Sequence, residues 1–410
     1  MPATGEETIS PEFLEKPAAE ISDTEEADGA QREAITRSKA LKDGLYDYMF
    51  SRLHTHADTS ISYNDNIYLL HKKTGDVIPT VRPGVSLLLG SKDLRVSGRP
   101  RSYCEIDAGY ATDYYIRARL NHNNPYATIN IQGVGPRYRV RLSNYFLKAQ
   151  QPAQVINSGE PGLVGYQMNI TNLGFEYIRG RARLLIGYKR NEKDYTGSYK
   201  TTNSILDQGL NVTASINPSI TPKTTFFFEY EYGTFDYYKA PNNLGDFAYH
   251  YFWIGAKGKL LKKIYGVVKA GEELRRADPT GELKNAFVIR GDLFYIYSKK
   301  LRFSMHLARE NWAATNRSQG FNTAYIVSLR GIWDFNPQLT FTCGAKYEYD
   351  SYESTGKHDN TCGPFLIRFD YKVNKFTTIG AEYNFTRRDS TRADCKYNNS
   401  NIIGRMGMVF

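Results

Sequence analysis

The sequence predicts an all-β protein, a transmembrane up-and-down β-barrel of about eighteen antiparallel strands. Three observations support this fold class. Apolar and polar residues alternate along most of the chain, tight turns alternate with longer polar links, and the chain ends on an alternating strand closed by an aromatic residue. In a barrel wall one face contacts lipid and the other faces water, and this requires that apolar and polar residues alternate with a period of two.

Composition excludes the helical membrane class. The chain has 410 residues, of which 14% are aromatic, and no apolar run approaches the ~18 residues that a spanning helix needs. Its mean hydropathy is −0.52. This low value is compatible with a barrel, because only every second residue of a spanning strand meets lipid.

The alternation defines eighteen candidate strands. In one of them Phe226, Phe228 and Tyr230 share a face, with Glu229 and Glu231 on the other. The predicted strands are 52–64, 76–90, 101–116, 124–134, 137–149, 164–178, 181–194, 203–217, 222–237, 247–260, 262–275, 284–299, 300–313, 320–335, 337–351, 361–373, 375–388 and 398–410.

Two of these strands are weakly patterned, so sixteen strands is the alternative. The segment 262–275 alternates poorly, and in 164–178 the apolar parity slips between Ile170 and Leu173, which predicts a bulge. Connection lengths are a separate criterion. Tight turns such as Gly90-Ser91-Lys92 alternate with polar links near ten residues, as periplasmic turns and external loops do in outer-membrane barrels.

Three regions follow along the chain. Residues 1–30 are predicted to be a disordered acidic segment, and 31–50 a short amphipathic helix; the barrel occupies 51–410. The helix is either a simple tether or a plug or docking element for a partner. Residues 1–30 lack the apolar core of a secretory signal, so the numbering is expected to begin after processing or at a misassigned start.

Charge is distributed unevenly between these regions. Residues 1–29 hold nine acidic residues and one base, which leaves the rest of the chain with a net charge of +18. The bases are spread at strand spacing and match no nucleic-acid-binding motif. This pattern favours an anionic solute or lipopolysaccharide over nucleic acid as the partner.

One stretch resembles a known family. Tyr63-Asn64-Asp65-Asn66, followed by a strand containing Pro83-Gly84, is similar to the opening of the putative beta-barrel porin 2 family. The resemblance implies a pore. It also suggests a polysaccharide route, because related proteins are found with capsule and exopolysaccharide machinery.

Charged residues on the inward parity are candidate pore-lining groups. Two interpretations remain open: a cationic ladder facing an acidic wall that selects anions, or cross-strand ion pairs that only make the interior polar. The candidates are Arg82, Arg137, Arg139, Arg141, Arg183, Glu229, Glu231, Lys257, Arg290, Asp292, Arg302, Arg330, Lys346, Glu348, Arg368, Asp370, Glu382 and Arg405.

The last strand carries the expected assembly signal, Met406, Met408 and Phe410, which barrel assembly machinery would read.

Four cysteines show no metal-binding spacing. Cys362 and Cys395 are expected near neighbouring external loops, where they either pair or remain two thiols.

No catalytic or metal site is predicted. His54, His56 and Asp58 share a strand face and could ligate a metal, but such triplets are more often polar lumen residues. Ser304 and His306 are also neighbours on one face, without an activating partner in the sequence pattern. We therefore expect no enzyme activity, no metal and no cofactor.

The expected function is an outer-membrane channel for passive passage of small hydrophilic, anionic solutes in a Gram-negative-type bacterium. The main alternative is the exit barrel of a capsule or exopolysaccharide secretion system, with a periplasmic export partner. A surface adhesin or receptor is a weaker alternative because the external links are modest in length. Outer-membrane lipid, lipopolysaccharide and barrel assembly machinery are the other expected partners.

Overall fold

The computed structural model describes residues 52–90, 102–152, 162–197, 200–219, 223–239, 246–277, 283–313, 321–352, 357–391 and 395–409. The predictions for residues 1–30 and 31–50 and for Phe410 lie outside these residues. Within them, no helix has the length and apolar character needed to cross a bilayer.

Eighteen strands form the barrel, as predicted. They are β1 (Leu53–Asn64), β2 (Asp76–Gly90), β3 (Tyr103–Tyr115), β4 (Leu120–Val134), β5 (Tyr138–Pro152), β6 (Leu163–Arg179), β7 (Ala182–Tyr195), β8 (Ile205–Ile216), β9 (Thr224–Asp236), β10 (Phe247–Leu261), β11 (Ile264–Ala277), β12 (Leu283–Ile296), β13 (Leu301–Ala313), β14 (Phe321–Asp334), β15 (Leu339–Tyr352), β16 (Lys357–Lys372), β17 (Thr377–Ser390) and β18 (Tyr397–Val409). A four-residue helix, α1 (Lys200–Asn203), precedes β8.

The sheet is closed and antiparallel throughout. Each strand pairs with the next along the chain, and β1 pairs with β18 from His56↔Val409 to Asn64↔Asn401. Met406 and Met408 of the last strand lie opposite Thr59 and Ala57 in this seam. Closure satisfies the backbone groups that an open edge would leave unpaired in lipid.

The two faces of the wall differ in chemistry. One parity carries exposed apolar side chains along the strands, for example Phe303 (41% exposed), Leu329 (52%) and Phe369 (48%). Residues of the other parity form ion pairs between strands that are not neighbours, as in Lys189 of β7 with Glu231 of β9 at 2.6 Å. Side chains two strands apart can meet only where they converge, so this parity faces the barrel interior.

Strand β6 corrects the predicted bulge. Its pairing with β5 and β7 runs without a register shift through Ile170 and Leu173. The outward positions before Leu173 are Gln167, Asn169 and Thr171. The apolar parity therefore slips because this end of the strand extends past the apolar belt, where the outer face can be polar.

Connection lengths agree with the prediction except around β3. The link from β2 to β3 is longer than the predicted three-residue turn, because β2 ends at Gly90 and β3 begins only at Tyr103. At the opposite end β3 and β4 are joined by just 116–119.

No disulfide forms among Cys104, Cys343, Cys362 and Cys395, all of which are described residues.

Candidate functional site

The interior face is the candidate site, and the six acidic residues predicted to line it are all paired. Each of the six predicted pore-lining acids lies within 4 Å of a cationic or imidazole nitrogen. The pairs are Glu229–Lys269 (3.0 Å), Glu231–Lys189 (2.6 Å), Asp292–His306 (2.6 Å), Glu348–Lys346 (2.7 Å), Asp370–Arg368 (2.7 Å) and Glu382–Arg405 (3.6 Å).

Seven of the twelve predicted pore-lining cations are also paired. Glu176, which the sequence analysis did not select, lies between Arg139 (3.1 Å) and Arg183 (3.5 Å). Besides Arg139 and Arg183, the paired cations are Arg290, Arg302, Lys346, Arg368 and Arg405. Ion pairs within a strand, between neighbouring strands and across an intervening strand thus account for most of the predicted pore-lining charge.

The remaining five cations form no ion pair with a carboxylate of the described residues: Arg82, Arg137, Arg141, Lys257 and Arg330. Arg137 lies in the turn before β5 and not on the strand. The other four have the inward parity of β2, β5, β10 and β14. Arg141 Nε donates to Gln132 Oε1 (3.1 Å), Arg82 lies 5.9 Å from the Tyr126 ring, and Lys257 lies 5.7 Å from the Phe227 ring.

Three of these cations lie at similar depth. Arg141, Lys257 and Arg330 are each within four residues of the end of their strand at the short-turn rim. At about 3.3 Å per residue this places them roughly 10–13 Å along the strand from that rim. Because β5, β10 and β14 are widely separated around the barrel, these three charges face the interior from different sides.

The histidines of β1 do not act together as a ligand set. The His56 Nε2 atom lies 3.1 Å from Asp107 Oδ1 on β3, a second interior contact across two strands. Gly84 and Gly109 lie beneath His56 and Tyr126, where a Cβ atom would clash with one or both rings. The small residues thus allow large polar side chains to lie flat against the wall here.

His306 has a carboxylate partner that the sequence pattern did not indicate. Its Nδ1 atom lies 2.6 Å from Asp292 Oδ1 on the neighbouring strand β12. Arg290 Nε contacts the other oxygen of the same carboxylate at 3.3 Å. Asp292 is therefore shared between an imidazole and a guanidinium, an arrangement that fixes both side chains against the wall.

An aromatic ladder covers part of the interior, and the sequence analysis missed it. Phe247, Tyr249, Tyr251 and Trp253 follow one another on the inward parity of β10, with neighbouring ring centroids 5.4–6.1 Å apart. Lys269 Nζ lies 4.3 Å from the Trp253 ring centroid. Most outward residues of β10 are apolar as well, so strict alternation gave no signal. The run of inward aromatic residues was the signal available.

Buried charge concentrates at the long-loop end. Glu273 (1% exposed) and Arg275 (5%) of β11 form an ion pair, and Asn311 of β13 binds both: its Nδ2 donates to Glu273 Oε2 at 2.9 Å, and its carbonyl accepts from Arg275. Arg388 of β17 and Asp359 of β16 form a second buried pair. These contacts connect strands at this end of the barrel.

Several solved structures and one protein family are similar to this chain. Among solved structures, the chain is similar to OpdK of Pseudomonas aeruginosa with vanillate, at 9% identity and a TM-score of 0.47, covering 88% of this chain and 100% of that one. It is also similar to OccK2 (OpdF) of the same organism with glucuronate, at 8% identity and a TM-score of 0.46, covering 88% and 98%. Sequence identities and TM-scores this low do not indicate which solute this chain would pass.

No curated protein matches the chain. The family model described as putative beta-barrel porin 2 matches residues 145–407, which is more than half of the sequence. This confirms the family that the resemblance indicated, although the stretch 63–90 that carried the resemblance lies before the matched range. The chain therefore belongs to the putative beta-barrel porin 2 family, a family of porin-like outer-membrane barrels.

Proposed function

We propose that this protein is a passive channel in the outer membrane of a Gram-negative-type bacterium and that its interior favours small anionic hydrophilic solutes. The observation that carries the proposal is an imbalance of ion pairing among the eighteen predicted pore-lining charges. All six predicted acids have cationic or imidazole partners, whereas Arg82, Arg141, Lys257 and Arg330 form no ion pair with a described carboxylate.

Unbalanced cations act on a solute more strongly than paired ones. A paired arginine presents a dipole whose potential falls quickly, while an unpaired one contributes a full charge to the interior. The low-dielectric barrel wall focuses this field along the water-filled path. Arg141, Lys257 and Arg330 act at similar depth, so an anion crossing that level meets positive potential from several sides.

The outer face supports the proposed location. Its exposed apolar and aromatic side chains form a belt that would contact lipid, and lipopolysaccharide would contact the long-loop end. Met406 and Met408 lie at the seam that closes the barrel, the place where assembly machinery would read the last strand. We expect no enzyme activity, and no metal or cofactor in the passage of solute.

Selectivity measurements test the anion preference. Changing Arg82, Arg141, Lys257 and Arg330 together to Gln is expected to move the reversal potential of planar-bilayer channels toward cations. The shift should be largest at low salt and shrink as salt is raised, because the Debye length falls from ~10 Å at 0.1 M to ~3 Å at 1 M.

A variant of equal charge change provides the control. Lys72, Arg117, Lys148 and Arg276 are exposed bases of the long-loop half, and changing these four to Gln should leave the reversal potential near that of the unchanged protein. Equal shifts in the two variants would show that overall charge and not the interior cations sets selectivity. An unchanged reversal potential in the interior variant at low salt would refute the anion preference.

A further inference from the structure

Four buried side chains at the long-loop end of β14, β15 and β16 carry oxygen atoms that the ion pairs described above leave without a partner. They are Asn322, Glu348, Asp350 and Thr361, each at most 5% exposed. Asn322 Oδ1, Glu348 Oε1, Asp350 Oδ2 and Thr361 Oγ1 accept no hydrogen bond from the described residues. We name these four side chains the oxygen cluster. Buried polar atoms left without a partner indicate a bound water or ion.

The four side chains lie next to one another on the interior face. Glu348 is directly opposite Thr361 of β16 in the strand register. Asp350 follows Glu348 on the same face of β15, and the two carboxyl groups are within hydrogen-bonding reach of each other. Asn322 Nδ2 donates to Asp350 Oδ1 at 2.9 Å, so the amide oxygen of Asn322 lies beside the same carboxyl.

A β-bulge turns Thr361 into this group. Strand β16 has one residue more than β15 and β17 between Cys362 and Phe365. Phe365 faces outward, so unbroken alternation would place Thr361 outward as well. The extra residue reverses the parity, and Thr361 then faces the interior opposite Glu348. Bulges redirect side chains in this way and are frequent beside functional sites.

The charges within the cluster do not balance. Lys346 Nζ pairs with Glu348 Oε2 at 2.7 Å, and Arg388 pairs with Asp359, the residue opposite Asp350. Asp350 forms no ion pair with a base in the described part of the chain, although it is fully buried and touches a second carboxyl group. A buried carboxylate requires a neutralising partner. Asp350 therefore needs either a proton or a bound cation.

The free oxygens favour a cation over a proton. One proton shared between Glu348 and Asp350 would leave Asn322 Oδ1 without a donor, whereas a metal ion at the centre of the cluster could bind all four oxygens. Two carboxylates, an amide and a hydroxyl are hard oxygen ligands, which Ca²⁺ accepts in irregular geometry. Mg²⁺ demands near-ideal octahedral geometry and loses its water reluctantly.

We propose that Asn322, Glu348, Asp350 and Thr361 bind a calcium ion at the long-loop end of the barrel. The ion neutralises Asp350 and connects β14, β15 and β16. Its role is structural, so the passage of solute does not depend on it. With two carboxylates among its ligands, the site should have a Kd of roughly 10⁻⁴–10⁻³ M, as in extracellular calcium-binding modules. The sequence pattern did not indicate the site, because the ligands come from three strands and a bulge reverses the parity of one.

Thermal unfolding and terbium luminescence test the site. The full-length protein is refolded into detergent free of lipopolysaccharide, because lipid phosphates also bind calcium. Millimolar calcium is expected to raise the unfolding midpoint above its value in EDTA, since a ligand that binds only the folded state stabilises it. Terbium should luminesce on binding through excitation of Tyr352, which lies opposite Asn322 in the register, and calcium should displace it.

Asp350→Asn is expected to remove the calcium-dependent shift and to weaken terbium binding at least about tenfold, since loss of an outer-shell partner alone costs ~10–100-fold. Asp389→Asn is the matched control, because Asp389 is an exposed carboxylate near the same end of β17 and pairs with Arg387. This control should keep both the shift and the terbium affinity.

An unfolding midpoint of the unchanged protein that does not respond to calcium would overturn the proposal and assign a shared proton to Glu348 and Asp350. Equal calcium responses of the Asp350 and Asp389 variants would overturn it as well. If Asp350→Asn fails to assemble, Thr361→Val takes its place, because Val keeps the shape and strand propensity of Thr. Terbium binding should weaken in this variant, and unchanged binding would refute the proposed ligand set.

Discussion

Replacing Leu329 by Arg is expected to block assembly of the barrel, whereas Arg at the adjacent Ser328 should be tolerated. Leu329 lies on the outward parity near the middle of β14 and is 52% exposed. An arginine that faces lipid near the bilayer midplane costs ~2–4 kcal/mol. Heat-modifiable migration on gels after refolding into vesicles separates assembled from unassembled protein.

Ser328 is the suitable control because it has the opposite parity on the same strand. It pairs with His306 of β13 and Lys346 of β15 on the interior face. Like charges directly opposite each other cost up to ~1 kcal/mol in a sheet, less than the cost expected at Leu329. Ser304 is a poorer control, since it is only 9% exposed. Equal assembly of the two arginine variants would contradict a lipid-facing belt.

The strand count could be predicted because lipid imposes a strict period on every spanning strand. The weakly patterned segment 262–275 is still a strand, β11, since closure requires a partner between β10 and β12. Strand ends were less predictable. β4 begins at Leu120 and β16 at Lys357, four residues before their predicted starts, in polar stretches that extend past the apolar belt.

The inward charges could be selected by parity, but their pairing could not. Lys269 reaches Glu229 across the intervening strand β10, and Arg139 meets Glu176 only in the register that β5 and β6 adopt. The local alternation of polar and apolar residues predicts neither the curvature of the wall nor the register between strands. For the same reason the sequence was compatible with an acidic wall facing the cations, whereas the structure shows those acids in ion pairs.

Removal of the Arg275 guanidinium is expected to destabilise the barrel more than most interior changes. Arg275 and Glu273 are 5% and 1% exposed, and the guanidinium also lies 4.7 Å from the Phe247 ring. Arg275→Met would leave the buried Glu273 carboxylate with the uncharged Asn311 and Tyr251 side chains as its partners. Breaking a buried ion pair in this way costs about 3–5 kcal/mol.

The double variant Arg275→Met/Glu273→Gln should recover much of that loss. A neutral amide removes the uncompensated charge while keeping a hydrogen-bonding group beside Asn311, and pairs replaced on both sides are often close to neutral. Urea unfolding of the barrel in detergent micelles, followed by tryptophan fluorescence, measures both variants. If the single variant were as stable as the unchanged protein, water would have to reach Glu273, and this end of the interior would be open rather than packed.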